Sequence, residues 1–238
     1  MMDRFIHIIL LIALPPLLPG IIAKTKAVFA GRNGPPVFQL YYDIIKLMQK
    51  GIALSDATTW IFIAAPAVST VCIVLAGLLV PLGQADAPVS FTGDMLLFAY
   101  SLGLARFFTT AAALDTGSSF EGMGASREVT FACLSEPALF FALLALAKLS
   151  GSLSLTGLLH GPVHAPSIVS AAALPLIAAG LFIVLLAENC RIPIDDPNTH
   201  LELTMIHEVM VLDHSGPLLG MILYGASVKL FVIGSLFL

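Results

Sequence analysis

A chain of 238 residues, 58% apolar and only 11% charged, with a mean hydropathy of +0.97, is not a soluble enzyme, since soluble domains carry roughly a quarter charged residues. The net charge of −4 and the pI near 5.8 also exclude a nucleic-acid binder built on a basic surface. The three cysteines, Cys72, Cys133 and Cys190, share no CxxC spacing, so they suggest neither a disulfide framework nor a zinc or iron–sulfur site. What remains is an all-α, polytopic integral membrane protein, read as a single transmembrane domain over residues 1–238 without internal repeat or linker.

Six apolar runs predict spans at about residues 5–22, 60–80, 93–114, 129–148, 168–187 and 217–238. Each is long enough at ~1.5 Å per residue to cross a ~30 Å hydrocarbon core. Alternating barrel-type patterns are absent, which leaves helices to satisfy the backbone in lipid. Pro15, Pro16 and Pro19 interrupt the first run and predict a kink or break there. Lys24, Lys26, Arg32, Lys46, Lys50, Arg127 and Arg191 all fall in alternate loops, whereas the opposite loops, 81–92 and 149–167, carry no Lys or Arg. The positive-inside rule makes the basic side cytoplasmic and the N-terminus external.

The cytoplasmic loops carry the information. Gly31 to Pro36 reads as a turn, and Val37 to Lys50 as an amphipathic helix. Its Val37, Tyr41, Ile44, Ile45 and Met48 face one way, and Gln39, Asp43, Lys46 and Lys50 the other. Two readings stand equal: a helix lying in the lipid interface, or a docking surface for a cytoplasmic partner. Leu114 to Glu128, with three glycines among acidic and hydroxyl residues, predicts a tight polar loop. The third loop, Glu188 to Pro197, leads into a predicted helix over 198–213, with Asp196 as N-cap, Pro197 at the first turn and Gly216-Pro217 as the stop. His207-Glu208 lacks the second histidine of HExxH, so no metal site is predicted there.

Three ionisable residues fall inside spans, where each costs about 2.5–3.5 kcal/mol on insertion scales. Arg106 and Glu136 lie at similar depth on consecutive antiparallel spans and are predicted to interact; Lys229 lies near the midplane. One reading is an ion pair that fixes packing. The other is a hydrated cavity running from the Glu188 and Asp195 loop past Glu136 and Arg106 toward Lys229, suited to proton movement. Asp94 and Lys148 lie at outer span ends, within reach of water by snorkelling.

The series Gly31-Arg32-Asn33-Gly34-Pro35-Pro36-Val37-Phe38-Gln39, Asp43-Ile44-Ile45-Lys46-Leu47, Ala105-Arg106-Phe107-Phe108, Leu114-Asp115-Thr116-Gly117-Ser118, Gly124-Ala125-Ser126-Arg127-Glu128 and the long run Glu188 to Glu208 resembles the membrane subunit of group 4 nickel–iron hydrogenases, of the hydrogenase 4 and formate hydrogenlyase kind. More distantly it resembles the H-type membrane component of respiratory complex I, of the NADH dehydrogenase subunit 1 family. The likeness runs from about residue 19 to residue 235 and implies a coupling subunit without a catalytic centre, linking a cytoplasmic redox arm to ion translocation. It implies that Glu136, Glu188, Arg191, Asp195, Glu202, Glu208 and Asp213 line an acidic chamber or its mouth, with Arg106 and Lys229 on the same path. Arg32, Asp43, Lys46, Asp115, Arg127, Glu128, His200 and His207 would belong to partner-docking loops. Hydrogenase large and small subunits, an Fe–S subunit and antiporter-like membrane subunits are the implied partners, with the nickel–iron centre and Fe–S clusters held by those partners and no cofactor here. His200, Thr204 and His207 follow the hydrogenase pattern, which disfavours a quinone site without removing it. The alternatives are a quinone-binding H-type component of an NADH or ferredoxin dehydrogenase and, against the absence of an inverted repeat, a self-contained transporter. The implied location is a bacterial or archaeal cytoplasmic membrane. Family members usually continue through further transmembrane helices, whereas this chain ends at Leu238 inside an apolar run; a split or truncated product, or helices supplied from elsewhere, is the expectation.

Overall fold

The computed structural model describes residues 2–161, 168–195 and 205–237, with the side chains of 168–171 excepted. Its helices run in the order α1 (Met2–Ala13), α2 (Leu17–Phe29), α3 (Gln39–Met48), α4 (Trp60–Leu79), α5 (Asp94–Asp115), α6 (Ser119–Ser150), α7 (Leu155–His160), α8 (Ile168–Glu188), α9 (His207–Met210) and α10 (Gly216–Gly234). Among the described residues α4, α5, α6 and α10 are each long and apolar enough to cross a membrane, and α1 with α2 qualifies as a fifth, broken span. Helix α8 occupies the predicted fifth run, with a shorter apolar stretch described over Ala172–Glu188.

The break between α1 and α2 bends the chain by 53°, and its cause is in the sequence. Pro15 and Pro16 carry no N–H, so the carbonyls one turn earlier lose their helical donors. In lipid those acceptors need replacements. The Tyr224 hydroxyl donates to the Ile12 carbonyl, orphaned by Pro16, at 2.9 Å; the Tyr41 hydroxyl donates to that of Ala13, whose helical donor, the Leu17 N–H, turns to Leu14 at the break. Two tyrosines, one on α10 and one on α3, therefore hold the broken span to the bundle.

Helix α4 is the central element, packed on α5 along one side and on α10 along another. Leu11, Ala76, Phe98, Val228 and Val232 meet in its core. Small side chains at helix contacts substitute for the hydrophobic driving force that lipid removes. Asp115 anchors the start of α4: its carboxylate accepts from the Thr59 N–H at 2.7 Å, the Thr59 hydroxyl and the Phe62 N–H. The sequence reading had Asp115 in a docking loop, but its side chain is committed to capping a neighbouring helix. Asp94 is likewise no snorkelling residue. It is fully buried and accepts from the Ser154 hydroxyl at 2.9 Å, the Leu155 N–H at 2.6 Å and the Phe91 N–H at 3.3 Å, tying α5 to the start of α7.

Two loop expectations are corrected. The polar loop at 114–128 shrinks to a turn at Thr116–Ser118, and α6 begins at Ser119, taking Gly122 and Gly124 into the helix. Gly124 serves close approach: a Cβ there would stand 3.0 Å from the Ile206 carbonyl and 2.9 Å from Met210. The predicted helix at 198–213 reduces, among the described residues, to the single turn α9, with Met205 and Ile206 outside it. Its first N–H, that of His207, donates to the Asp195 carboxylate at 3.1 Å, which starts the turn at that point. Residues 196–204, with Asp196, Pro197, His200, Glu202 and Thr204, lie outside the described residues. The predicted amphipathic helix is present as α3, which lies across α10 with Ile44, Leu47 and Met48 over Gly220 and leaves Phe38, Tyr42 and Ile45 exposed.

Tyr224→Phe removes the donor at the break and should lower stability by about 0.5–1.5 kcal/mol, the net worth of an ordinary hydrogen bond, read as a lower melting temperature in detergent. A second prediction concerns His214, whose ring stacks on Phe62 at 4.0 Å with both nitrogens buried and, among the described residues, unpartnered. Burial lowers its pKa from 6.5 to about 4, so the unfolded chain binds the extra proton between those values. Stability should therefore fall as pH drops from 6.5 toward 4 and level off below, and His214→Phe should flatten that part of a melting-temperature profile.

Candidate functional site: an arginine held by three carboxylates

Four helices converge on Arg106. Its guanidinium, on α5, donates through Nε to Glu128 Oε1 at 2.9 Å and through its two terminal nitrogens to Glu136 and Glu188. Glu128 and Glu136 come from α6, two turns apart on one face, and Glu188 is the last residue of α8. Lys229 of α10 adds Nζ to Glu188 Oε2 at 3.0 Å. The Ser135 hydroxyl donates to the other Glu188 oxygen at 2.7 Å, and the Cys190 thiol lies 3.5 Å from Glu128 Oε2. The Arg106 side chain is 7% exposed and that of Glu188 1%. Such a charge persists at membrane depth only when its five donors and its charge are matched.

The cluster borders a cavity of about 330 Å³. Arg106, Glu128, Glu188 and Lys229 form its charged wall; Arg191, Asp195, His207 and Glu208 close the end toward α9; Lys26 and Leu40 lie toward α2 and α3. Burial, with the Glu128 carboxylate beside it, pushes the Cys190 thiol well above its ordinary pKa, so it stays protonated and donates. Burial also lowers the His207 pKa and keeps that ring neutral. Two buried nitrogens at this end, Arg191 Nε and His207 Nε2, have no hydrogen-bond partner among the described residues.

Of the residues singled out in the sequence, Arg106, Glu136, Glu188 and Lys229 come together. The expected path is corrected at one point: Glu136 meets Arg106 but is not among the residues that line the cavity, its side chain being 48% exposed on α6. Arg191, Asp195 and Glu208 line the cavity, whereas Asp213 is exposed and uses its N–H to donate to the buried Glu121 at 3.0 Å. Glu128, placed by sequence among docking residues, belongs to the ion cluster, because α6 extends through it and turns it inward. Arg127, its neighbour, donates to the Met205 carbonyl at 2.9 Å and so holds the α9 segment. Arg32 and Lys46 are exposed, and Asp43 accepts from Gln39 at 2.9 Å within α3. The sequence reading missed Ser135, Cys190 and the role of Glu128. The signal for Glu128 was its spacing of eight from Glu136, informative only on a helix that continues through both.

A family model described as NADH dehydrogenase matches residues 3–238. The chain is 33% identical to formate hydrogenlyase subunit 4 of Escherichia coli (strain K12) over 98% of this chain and 74% of that protein. It is 32% identical to hydrogenase-4 component C of the same organism over 96% of this chain and 71% of that protein. The H-type component of the NADH-quinone oxidoreductase of Syntrophotalea carbinolica is 26% identical over 82% of this chain and 60% of that protein. A chain in the structure of the membrane-bound sulfane sulfur reductase, an archaeal respiratory membrane complex, superposes with a TM-score of 0.83 over 99% of this chain and 76% of that one, at 23% identity, and so shares the fold. With the family match running the length of a helical membrane bundle built around one arginine, the chain belongs to the NADH dehydrogenase subunit 1 family, alongside formate hydrogenlyase subunit 4 and hydrogenase-4 component C.

Proposed function

We propose that this protein is the membrane-anchoring and coupling subunit of a hydrogenase-type, complex I-related oxidoreductase. In this reading its N-terminus lies outside and the end bearing α3, α9 and the Asp195 loop faces the cytoplasm. There it seats the hydrogenase large and small subunits and an Fe–S subunit, which hold the metal centres, while antiporter-like subunits adjoin it in the membrane. The observation that supports the reading most is the Arg106 cluster, because it joins the loop-bearing end to the interior of the bundle through charged groups alone.

The physics of coupling follows from the charge count. Arg106 and Lys229 supply two positive charges against the three carboxylates of Glu128, Glu136 and Glu188. The direct contacts thus leave one negative charge over, which favours a cation beside the cluster. A displacement at Asp195 or Arg191 that altered the grip on Glu188 would change the proton affinity of the cluster. The cavity beside it has room for several waters to carry that proton. Redox events in the peripheral arm would thereby become charge movement in the bundle.

A second reading draws on the two orphaned nitrogens. Arg191 Nε and His207 Nε2 stand in a cavity whose lining combines the charged wall of Arg106, Glu128, Glu188 and Lys229 with the apolar side chains of Leu40, Ile73 and Ile222, a setting that fits a quinone head group with its carbonyl on a buried donor. A quinone bound there would accept electrons from the peripheral arm, while the chain's own residues would orient it and exclude bulk water.

Glu136→Gln keeps shape and one hydrogen bond to Arg106 but removes the surplus charge. The complex should assemble, and ion translocation per electron in inverted vesicles should fall at least tenfold; unaltered translocation would overturn the coupling reading. Arg106→Met strands three carboxylates and should cost about 3–5 kcal/mol, as breaking a buried pair does, seen as loss of the subunit from purified membranes. Copurification of stoichiometric quinone, lost on His207→Leu, would establish the second reading in place of the first.

A further inference from the structure

The α6 helix is unusual among the spans in how little of it is covered: 17% of its most apolar stretch is buried, against 61% for α10. Exposed apolar residues there suit lipid. Glu136 does not. It sits near the middle of a 32-residue helix, some ~20 Å or more from either end at 1.5 Å per residue, with half its side chain facing outward. Its carboxylate lies over Gly103 of α5, and among the described residues one of its oxygens is engaged, by Arg106.

A second acceptor opens on the same stripe. Pro137 has no N–H, so the Cys133 carbonyl, one turn before it, loses its helical donor. Val129, Cys133 and Glu136 recur at helical spacing on exposed α6, and Tyr100 and Phe107 flank Gly103 on exposed α5. The face thus presents two hydrogen-bond acceptors, framed by apolar side chains, and the cluster behind it carries one carboxylate more than its cations. Acyl chains supply neither donors nor charge.

We infer that the α5–α6 face around Glu136 is covered in the assembled complex by a transmembrane helix of another subunit, which presents a lysine or arginine to Glu136 and the Cys133 carbonyl. This rests on the reading of the chain as a subunit of a larger membrane complex and adds to it the face, the depth and the chemistry of one neighbour. The partner's cation would make the cluster neutral, with three positive and three negative groups, so coupling would pass between subunits at this point.

The test uses the native complex in its own membranes. With p-benzoylphenylalanine in place of Phe107 or of Val129, irradiation should yield a protein adduct with a single other polytopic chain from both positions. Mass spectrometry should place the adduct on a helix carrying a lysine or arginine within one turn of the cross-linked site. Glu136→Lys should reduce the adduct at least tenfold, and exchanging the partner's cation for glutamate should restore it. Lipid adducts alone, adducts to a second copy of this chain, or a partner helix without a cation at that depth would each overturn the inference. If the redox subunits still copurify while both positions label only lipid, this inference fails and the coupling reading stands. If no other subunit copurifies, the reading on which it rests fails first.

Discussion

An arginine inside a membrane bundle has to be surrounded by acceptors, and the need to satisfy Arg106 organises much of this protein. Its guanidinium draws Glu128 and Glu136 from α6 and Glu188 from α8, and Glu188 in turn draws Lys229 from α10. Four helices that are apolar along most of their length are therefore fixed in rotation and depth by one polar junction. Removing one member would leave the others charged and uncompensated in a low-dielectric setting, which is why the junction acts as a unit. An apolar set of the same volume would pack as well. The retained charges point to a use beyond packing.

The same logic governs the rest of the polar architecture. At several helix breaks and helix starts, a side chain from another element supplies the missing partner. Tyr224 and Tyr41 serve the proline break between α1 and α2. Asp115 serves the start of α4, Asp94 the start of α7, and Asp195 the start of α9. These are bonds between distant parts of the chain, and those of Tyr41, Asp115 and Asp195 tie the segments around α3 and α9 to one another and to the bundle. Glu188 stands seven residues before Asp195 and is directly bonded to Arg106, so a short stretch of chain joins the Asp195 loop to the ion cluster.

Composition and hydropathy made the class, the approximate spans and the break in the first helix readable, because a bilayer imposes a length and a polarity on every crossing segment. The pairing of Arg106 with Glu136 was readable as well, since equal depth on consecutive antiparallel helices leaves few other partners. Motifs in order along the chain carried the family. The polar loop expected at 114–128 failed because glycines that look like turn signals can instead mark close approach: Gly124 lies where Ile206 and Met210 come against α6. Once α6 is extended to Ser119, Glu128 turns inward and leaves the docking surface for the ion cluster.

The sequence by itself determined that charges lie at depth in apolar helices and that the chain must therefore find them partners, since the cost of an unmatched charge in lipid does not depend on the fold. Which partners they find, and on which side, only the tertiary structure decided. The rotation of α6 sends Glu128 toward the cavity and leaves Glu136 half exposed on the outer face of the helix, a difference set by helix packing and not by spacing along the chain. Periodicity places a residue on a helix face; only the neighbouring helices determine what that face meets.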